Sequence, residues 1–276
     1  MSLFSAAPAE VLDVEILARQ PSGAALARIT ATPEGALLAA GTLVLVGPTD
    51  PCGECEVCRR GGAAVCANAR PRDPSAWTAQ LSSRWLVALG DGLDLPSPAA
   101  AAVAGDLALA YTLYARTGLA PRDPVVITGT TAVTRFLVEI LRAKGLTPVV
   151  VTDHAELSAW VIGRAAHVAT DRDGVIAATH TLGLGTRPLR VIATDAATLP
   201  IAAELAGPRA TLTVLAPAAE LPGSLIAREV TIIGVAGAHP DLVTEVAAMC
   251  AKGEIDLVGG TTSDRSDRTR AIVIVR

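Results

Sequence analysis

The stretch Cys52-Gly-Glu-Cys55-Glu-Val-Cys58-Arg-Arg-Gly-Gly-Ala-Ala-Val-Cys66 holds four of the five cysteines of this chain, at the spacing C-x2-C-x2-C-x7-C. Four thiolates at this spacing suit one tetrahedral metal ion, most often zinc. A site with four protein ligands has no open position for water or substrate. We therefore expect one structural zinc per chain, which fixes a loop at 48–74 that is too poor in apolar side chains to fold alone. The predicted metal ligands are Cys52, Cys55, Cys58 and Cys66.

Two other interpretations of this cysteine cluster are open. The four residues can be reduced cysteines that lie together by chance, or the Cys52-x-x-Cys55 pair can be a redox motif. The redox interpretation lacks the strand-to-helix turn that accompanies such a motif, and chance does not account for so regular a spacing. The metal site is therefore the favoured interpretation.

The composition limits the kinds of partner that the chain is expected to have. It has 276 residues, 51% of them hydrophobic, and a formal net charge of -4. This balance argues against a nucleic-acid-binding surface. No apolar run reaches the length of about 18 residues that a membrane span needs, and the start has no basic segment typical of a signal peptide. We expect a cytoplasmic protein, where close-spaced cysteines are more often metal ligands than disulfides.

The second half of the chain alternates short apolar strands with helices. This texture predicts a parallel sheet covered on both faces, that is, an α/β, doubly wound nucleotide-binding (Rossmann) fold. The first half has strand-like runs at 24–29, 42–46 and 85–89, and the tail has one more at 271–275. The predicted strands of the second half are 125–128, 148–152, 190–194, 211–215 and 230–234, and its predicted helices are 132–144, 157–166, 199–205 and 242–252.

Several segments, together with the cysteine lobe, resemble the zinc-containing, medium-chain alcohol dehydrogenase family. These segments lie at 41–47, 84–94, 228–234 and 251–256, and the resemblance runs from about residue 40 to 258. It implies a truncated, mostly β (GroES-like) domain that carries the lobe, followed by a Rossmann-type dinucleotide-binding domain and a strand that returns to the first domain. The predicted limits are 1–110, 111–258 and 259–276.

The resemblance also implies a second, catalytic zinc, which the family commonly holds with an early Cys, a His in a Gly-His-Glu segment and a later Cys, Asp or Glu. Here no cysteine precedes Cys52 and no histidine precedes His154, so no catalytic-zinc site is recognisable. Asp106 lies near the place of the late ligand, but one carboxylate does not hold zinc alone. Tyr111 and Tyr114 are phenols that can donate a proton, although both also suit simple packing. The catalytic residues are therefore unknown.

The turn that should bind a dinucleotide reads Gly129-Thr-Thr131-Ala-Val-Thr134. A dinucleotide fold normally has G-x-G-x-x-G here, so Thr131 and Thr134 replace the second and third glycines. The Thr131 side chain would stand where the pyrophosphate approaches the backbone, yet threonine hydroxyls can donate to phosphate and a helix N-terminus attracts anions. Asp153, 24 residues after Gly129, suits the ribose hydroxyls and favours NAD over NADP. The predicted cofactor-binding residues are Gly129, Thr130, Thr131, Ala132, Val133, Thr134 and Asp153, to which the resemblance adds Thr194 and Ala216.

The features for and against catalysis and cofactor binding leave two possible functions. The first is an alcohol dehydrogenase-like oxidoreductase that transfers a hydride between NAD and a small alcohol or carbonyl compound, with a structural but no catalytic zinc. The second is a non-catalytic relative that acts as a binding or partner subunit. The resemblance implies a homodimer in either case, joined through the edge strand of the nucleotide sheet near 230–235.

Overall fold

The computed structural model describes residues 10–90, 95, 98–183, 189–215 and 222–275. The strands of these residues are β1 (Val11–Arg19), β2 (Ala25–Ala31), β3 (Leu43–Val46), β4 (Thr49–Asp50), β5 (Arg70–Pro71), β6 (Thr78–Ser82), β7 (Leu86–Leu89), β8 (Val125–Thr128), β9 (Val149–Val151), β10 (His167–Ala169), β11 (Arg190–Ala193), β12 (Thr211–Val214), β13 (Thr231–Gly234), β14 (Thr261–Thr262), β15 (Ala271–Ile272) and β16 (Ile274–Val275). The α-helices are α1 (Glu56–Arg59), α2 (Ala108–Thr117), α3 (Ala132–Ala143), α4 (Ala155–Gly163), α5 (Arg172–Thr181), α6 (Leu199–Leu205), α7 (Ser224–Ala227) and α8 (Pro240–Ala251).

The chain divides into two compact units. The first contains Met1–Leu109, Gly237–Asp267 and Ala271–Arg276, and the second contains Ala110–Ala236 and Arg268–Arg270. Helix α8 belongs to the first unit, where it contacts the irregular helical turn Val103–Leu107. The sequence analysis placed the residues of α8 in the nucleotide-binding domain.

The first unit is built on an antiparallel sheet with the strand order β16-β1-β2-β3-β7, in which β6 also pairs with β1. Strand β1 alternates in burial along its length, so that Leu12, Val14, Ile16 and Ala18 face the core. This period of two is what a half-buried strand requires. Alanine and valine side chains of β2 and β3 complete the same apolar layer.

The second unit is a six-stranded parallel sheet with the order β10-β9-β8-β11-β12-β13. Numbered within the unit, this is the order 3-2-1-4-5-6 of a doubly wound dinucleotide-binding fold. All four residues of the central strand β8 are buried, as a parallel strand with helices on both faces requires. The predicted fold class, a Rossmann sheet with a second, mostly β unit that carries the cysteine lobe, is confirmed.

Several elements differ from the sequence prediction. The elements that were not predicted are strands β1, β4, β5, β6, β10 and β14 and helices α1, α5 and α7, and the tail predicted as one strand is two short strands separated by Val273. Strand β15 pairs with β14, whereas β16 pairs with β1, with Val275 beside Ala18. Among the described residues, no helix combines the length and the apolar character needed to cross a membrane.

A candidate metal centre and a candidate cofactor turn

The four cysteines of the lobe converge in the first unit. Their sulfur atoms all lie within 4.8 Å of one another. The Cys52 sulfur is 4.0 Å from that of Cys58 and 3.5 Å from that of Cys66, and the Cys55 and Cys66 sulfurs are 3.9 Å apart. A zinc ion with Zn–S bonds of about 2.3 Å places its four sulfurs about 3.8 Å apart in a tetrahedron. The lobe therefore has the geometry of a four-cysteine metal site.

Short local structure holds these sulfurs in place. Cys55 is the N-cap of α1, and its sulfur accepts a hydrogen bond of 3.4 Å from the Cys58 backbone N–H. Outside the cysteines, Trp85 Nε1 donates to the Pro51 carbonyl at 2.8 Å, which ties the entrance of the lobe to the sheet. The short pair of β4 and β5 joins the two ends of the lobe. The sulfur positions are thus set mainly by backbone turns.

The thiols of the lobe differ in pKa. The backbone N–H groups of Glu54 and Cys55 lower the pKa of the Cys52 thiol to about 6. Burial raises the pKa of the Cys58 thiol to about 12, although a hydrogen bond from the Gly53 N–H acts to lower this pKa. The Arg84 guanidinium packs directly over Gly53, where a side chain would collide with it. Arg84 therefore puts a positive charge beside the Gly53 backbone, next in sequence to Cys52, a contact that the sequence analysis did not predict.

Asp106, considered in the sequence analysis as a late metal ligand, is engaged by another side chain. Gln20 Nε2 donates to Asp106 Oδ2 at 2.7 Å, and the Asp106 N–H donates to Gln20 Oε1 at 3.2 Å. Gln20 is 1% exposed, and its amide oxygen fills the space where a side chain at Gly105 would stand. Burial raises the pKa of the Asp106 carboxyl, and the Gln20 amide opposes this shift. In the part of the chain that is described, the lobe is the single cluster of three or more metal-ligating side chains.

The two candidate phenols lie on α2 and pack against each other. The ring centroids of Tyr111 and Tyr114 are 5.4 Å apart, and Lys144 Nζ lies 5.6 Å and 6.0 Å from them. Lys144 is the C-cap of α3. The tyrosines therefore contact a residue at the C-terminal end of α3, a helix of 12 residues and about 18 Å whose other end carries the cofactor turn.

The predicted cofactor turn brings together a cluster of threonine hydroxyls. Thr134 Oγ1 donates to the Gly129 carbonyl at 3.0 Å and lies 2.8 Å from Thr194 Oγ1. Thr131 Oγ1 lies 3.3 Å from the same Thr194 oxygen, which itself donates to the Thr128 carbonyl at 3.1 Å. Thr134 is fully buried and Thr194 is 3% exposed. The hydroxyls that can donate to a phosphate are thus bonded to one another and to the backbone.

Some backbone N–H groups of the turn, those of Thr130, Thr131 and Thr134, have side-chain acceptors within the chain. Thr131 is the N-cap of α3, and its hydroxyl accepts from the Thr134 N–H at 3.4 Å. Asp195 follows β11, and its Oδ2 accepts from the Thr130 N–H at 3.3 Å. Its other oxygen accepts from the Thr198 N–H at 2.9 Å. A carboxylate of the chain therefore contacts the residue before the N-cap of α3, in the turn that binds a pyrophosphate in dinucleotide folds. A phosphate that accepted the Thr130 N–H would have to displace Asp195.

The remaining predicted site residues are more scattered. Asp153 is exposed just after β9, at the edge where ligands bind in such sheets. Ala132 and Val133 form the first turn of α3, and Ala216 lies outside the described residues. The sequence analysis missed Asp195, although its position directly after a central parallel strand was a usable signal. Cofactor binding by these residues stays a prediction.

The two units and the lobe together define the class of two-domain, zinc-lobe dehydrogenase folds. No family model matches the chain, and no curated protein matches its sequence. Among solved structures, the alcohol dehydrogenase TADH from Thermus sp. ATN1 superposes with a TM-score of 0.82 at 17% identity, over 96% of this chain and 92% of that one. Galactitol-1-phosphate dehydrogenase from Escherichia coli has a TM-score of 0.80 at 15% identity over the same shares of the two chains. An alcohol dehydrogenase from E. coli CFT073, solved with NADH, gives the same four values. The chain has the fold of the zinc-containing, medium-chain alcohol dehydrogenases, which confirms the resemblance.

Proposed function

We propose that this chain is a non-catalytic relative of the zinc-containing alcohol dehydrogenases and acts as a binding or partner subunit. The observation that carries the proposal is the Asp195 carboxylate, which accepts the Thr130 N–H at 3.3 Å in the turn where a pyrophosphate would bind. Asp195 already supplies the negative charge that a helix N-terminus favours. A second anion at the turn would lose this N–H group and would be repelled by the carboxylate.

The threonine cluster supports the same proposal. At a dinucleotide turn the second glycine lets the backbone approach the phosphates and the third lets the helix pack closely on the strand. Here Thr131 caps α3 and Thr134 bonds to the Gly129 carbonyl. The turn is therefore stabilised by side chains of its own, and its order does not depend on a ligand.

In this proposal Cys52, Cys55, Cys58 and Cys66 bind one structural zinc. Three sulfur separations of 3.5 to 4.0 Å, with all four sulfurs within 4.8 Å of one another, support it, because they lie close to those of a tetrahedral site. When bound, the ion supplies a crosslink for the loop and no open position for a substrate. Reduced cysteines agree with a cytoplasmic protein.

The proposed partner is a second copy of this chain, joined through β13. Strand β13 pairs with β12 on one side, and the described residues place no strand on its other side. Ile232 is 39% exposed on this edge, and three of the four residues of β13 are exposed. An exposed apolar edge strand promotes strand pairing between chains.

A second candidate is the NAD-linked oxidoreductase of small alcohols or carbonyl compounds. Two observations favour it: the exposed position of Asp153 after β9, which suits a ribose, and the likeness to a dehydrogenase solved with NADH. For this candidate, binding of NADH has to displace Asp195 from the turn.

Titration of the zinc-loaded protein with NADH, followed by nicotinamide fluorescence, tests the proposal. We expect no saturable binding up to about 1 mM NADH, the upper end of ordinary KM values. Saturable binding in the micromolar range, together with NAD reduction by any of a panel of primary, secondary and polyol alcohols, would establish the oxidoreductase instead. Light scattering on the same sample gives the mass of the assembly.

A further inference from the structure

The first unit contains a cavity of about 340 Å³ beside the antiparallel sheet. This volume lies within the range of small-molecule sites. Part of its wall is apolar and comes from three sheet strands and from the residue that ends β3. These apolar residues are Ile16, Ala25, Val46 and Leu81. The cavity is separate from the threonine turn, which belongs to the second unit.

The rest of the wall carries charge. Three arginines, Arg19, Arg70 and Arg72, border the cavity with two aspartates, Asp50 and Asp73. The Asp73 carboxylate also accepts bonds from the Ser75 N–H at 2.8 Å and from the Ser75 hydroxyl. The formal charge of the wall is therefore positive by one.

Arg19 is the least satisfied of these cations. Its Nε and Nη1 are buried and have no hydrogen-bond partner in the part of the chain that the structure describes. Its guanidinium stacks on the Trp77 ring, 4.2 Å from the centroid. Stacking of this kind orients the guanidinium plane but satisfies none of its donors. Because Nε and Nη1 are closed to solvent, only the remaining edge of the guanidinium, where Arg19 lines the cavity, can donate to a ligand there.

Arg72 adds a second buried donor at the same cavity. Its side chain is 9% exposed, and its Nε donates to the Gly47 carbonyl at 2.8 Å. Its Nη2 faces Asp50 Oδ1 at 3.6 Å, beyond hydrogen-bond distance, and within the described residues neither atom has a hydrogen-bond partner. The gap leaves this cation incompletely paired.

We infer that this cavity binds a small organic carboxylate, whose charged end interacts with Arg19 and Arg72 and whose short apolar body packs on the Ile16, Ala25 and Leu81 wall. A guanidinium donates to a carboxylate in a planar fork, which is among the strongest hydrogen-bonded pairs in proteins. The apolar wall selects against inorganic anions, which have no apolar body to bury. This site goes beyond the proposed function and does not depend on whether NADH binds.

Isothermal titration of the zinc-loaded chain with hexanoate tests the inference, with hexanamide as the neutral ligand of nearly equal shape. We expect saturable binding of hexanoate and binding of hexanamide at least about tenfold weaker, since a charged pair contributes more than a neutral hydrogen bond. Arg19→Gln should weaken hexanoate binding by about tenfold or more. Arg28→Gln removes an exposed arginine of the same sheet outside the cavity and should leave the affinity unchanged.

A cavity-filling variant, Ala79→Leu, keeps every charge and places extra methyl groups in the space that the ligand needs. We expect it to abolish hexanoate binding while zinc content and circular dichroism stay those of the parent. The inference is overturned if hexanoate does not saturate, if hexanamide binds as tightly, if Arg28→Gln acts like Arg19→Gln, or if Ala79→Leu binds hexanoate normally. The filled variant keeps the test decisive even if Arg19→Gln fails to fold.

Discussion

Replacement of Asp195 with alanine should change stability and anion binding in opposite directions. The carboxylate accepts two backbone N–H groups, of Thr198 at 2.9 Å and of Thr130 at 3.3 Å. The shorter bond resembles a helix cap, which contributes about 1 kcal/mol. The longer one adds about 0.5 to 1 kcal/mol. We expect Asp195→Ala to lower the free energy of unfolding by about 2 kcal/mol.

The same substitution removes the negative charge from the turn. Two unit charges 4 Å apart interact by about 4 kcal/mol at an effective dielectric constant of 20. Asp195 is partly exposed, so solvent screens much of this repulsion. An increase in NADH affinity of about tenfold, equal to about 1.4 kcal/mol, is the expected result. The double variant Asp195→Ala, Thr131→Gly should bind more tightly still, because the cap side chain also leaves the phosphate position.

The assays are urea unfolding by circular dichroism and NADH titration by fluorescence. Asp171→Ala is a matched control, since Asp171 caps α5 in the same unit with one bond of 2.8 Å to the Gly174 N–H. It should lose about 1 kcal/mol of stability and should not change NADH binding. If neither Asp195 variant binds NADH better than the parent, the carboxylate is not what keeps the turn from binding a dinucleotide.

Three further predictions concern the lobe, the buried carboxyl and the sheet edge. Cys58→Ser removes one of the four ligands, so the zinc that a chromogenic chelator releases should fall from one ion per chain to a small fraction. Cys250→Ser is the control, because Cys250 is a buried cysteine outside the lobe, and this variant should release one ion per chain like the parent. Because burial raises the folded-state pKa of Asp106, its stabilising contribution is full below the unfolded pKa near 3.8 and is lost as pH rises through the folded value. Asp106→Asn should therefore become progressively more stable relative to the parent as urea unfolding is repeated at rising pH above 4. Ile232→Lys should convert a dimer into a monomer in light scattering, while Ile162→Lys, at an exposed helix position, should not.

Asp73 supplies a control of opposite sign for the Asp106 experiment. The hydroxyl and the N–H of Ser75 lower the pKa of Asp73, so its contribution is present above the unfolded pKa and is lost as pH falls through the folded one. Asp73→Asn should therefore lose stability relative to the parent as pH rises. Parallel pH profiles for the two variants would contradict one of the two assignments, and the sign of the shared slope would show which one.

The sequence predicts the second unit better than the first because its signals are local. Each apolar run of four or five residues there is bounded by turn residues, and every predicted strand has a counterpart in the sheet. Strand β1 shows the alternation of a half-buried strand just as clearly, since Asp13 and Glu15 lie on one face and Val14 and Ile16 on the other. Its pairing with β6 and β16 joins residues far apart in sequence, which no local pattern reveals.

The metal site could be predicted from the sequence, because the spacing of its four cysteines by itself indicates metal binding. The cysteine spacing predicted the convergence of four sulfurs, because short turns leave them little freedom. The Asp195 contact with Thr130 and the Gln20 contact with Asp106 join residues 65 and 86 positions apart. Such pairs depend on how strands are ordered in space, so a single sequence does not predict them. They are also the contacts that most change the interpretation of the function.

The pairing of β16 with β1 has a consequence for how the chain folds during synthesis. Val275 lies beside Ala18, roughly 250 residues earlier in the chain. At a translation rate of about 5 to 20 residues per second, the partner of Ala18 emerges some 10 to 50 s after Ala18 itself. The parallel sheet comes from one nearly continuous segment and can form during this delay. Ala18 and Arg19, the two residues of β1 that pair with β16, therefore lack these partners until β16 has been made, and in this interval an unpaired strand segment is exposed to aggregation.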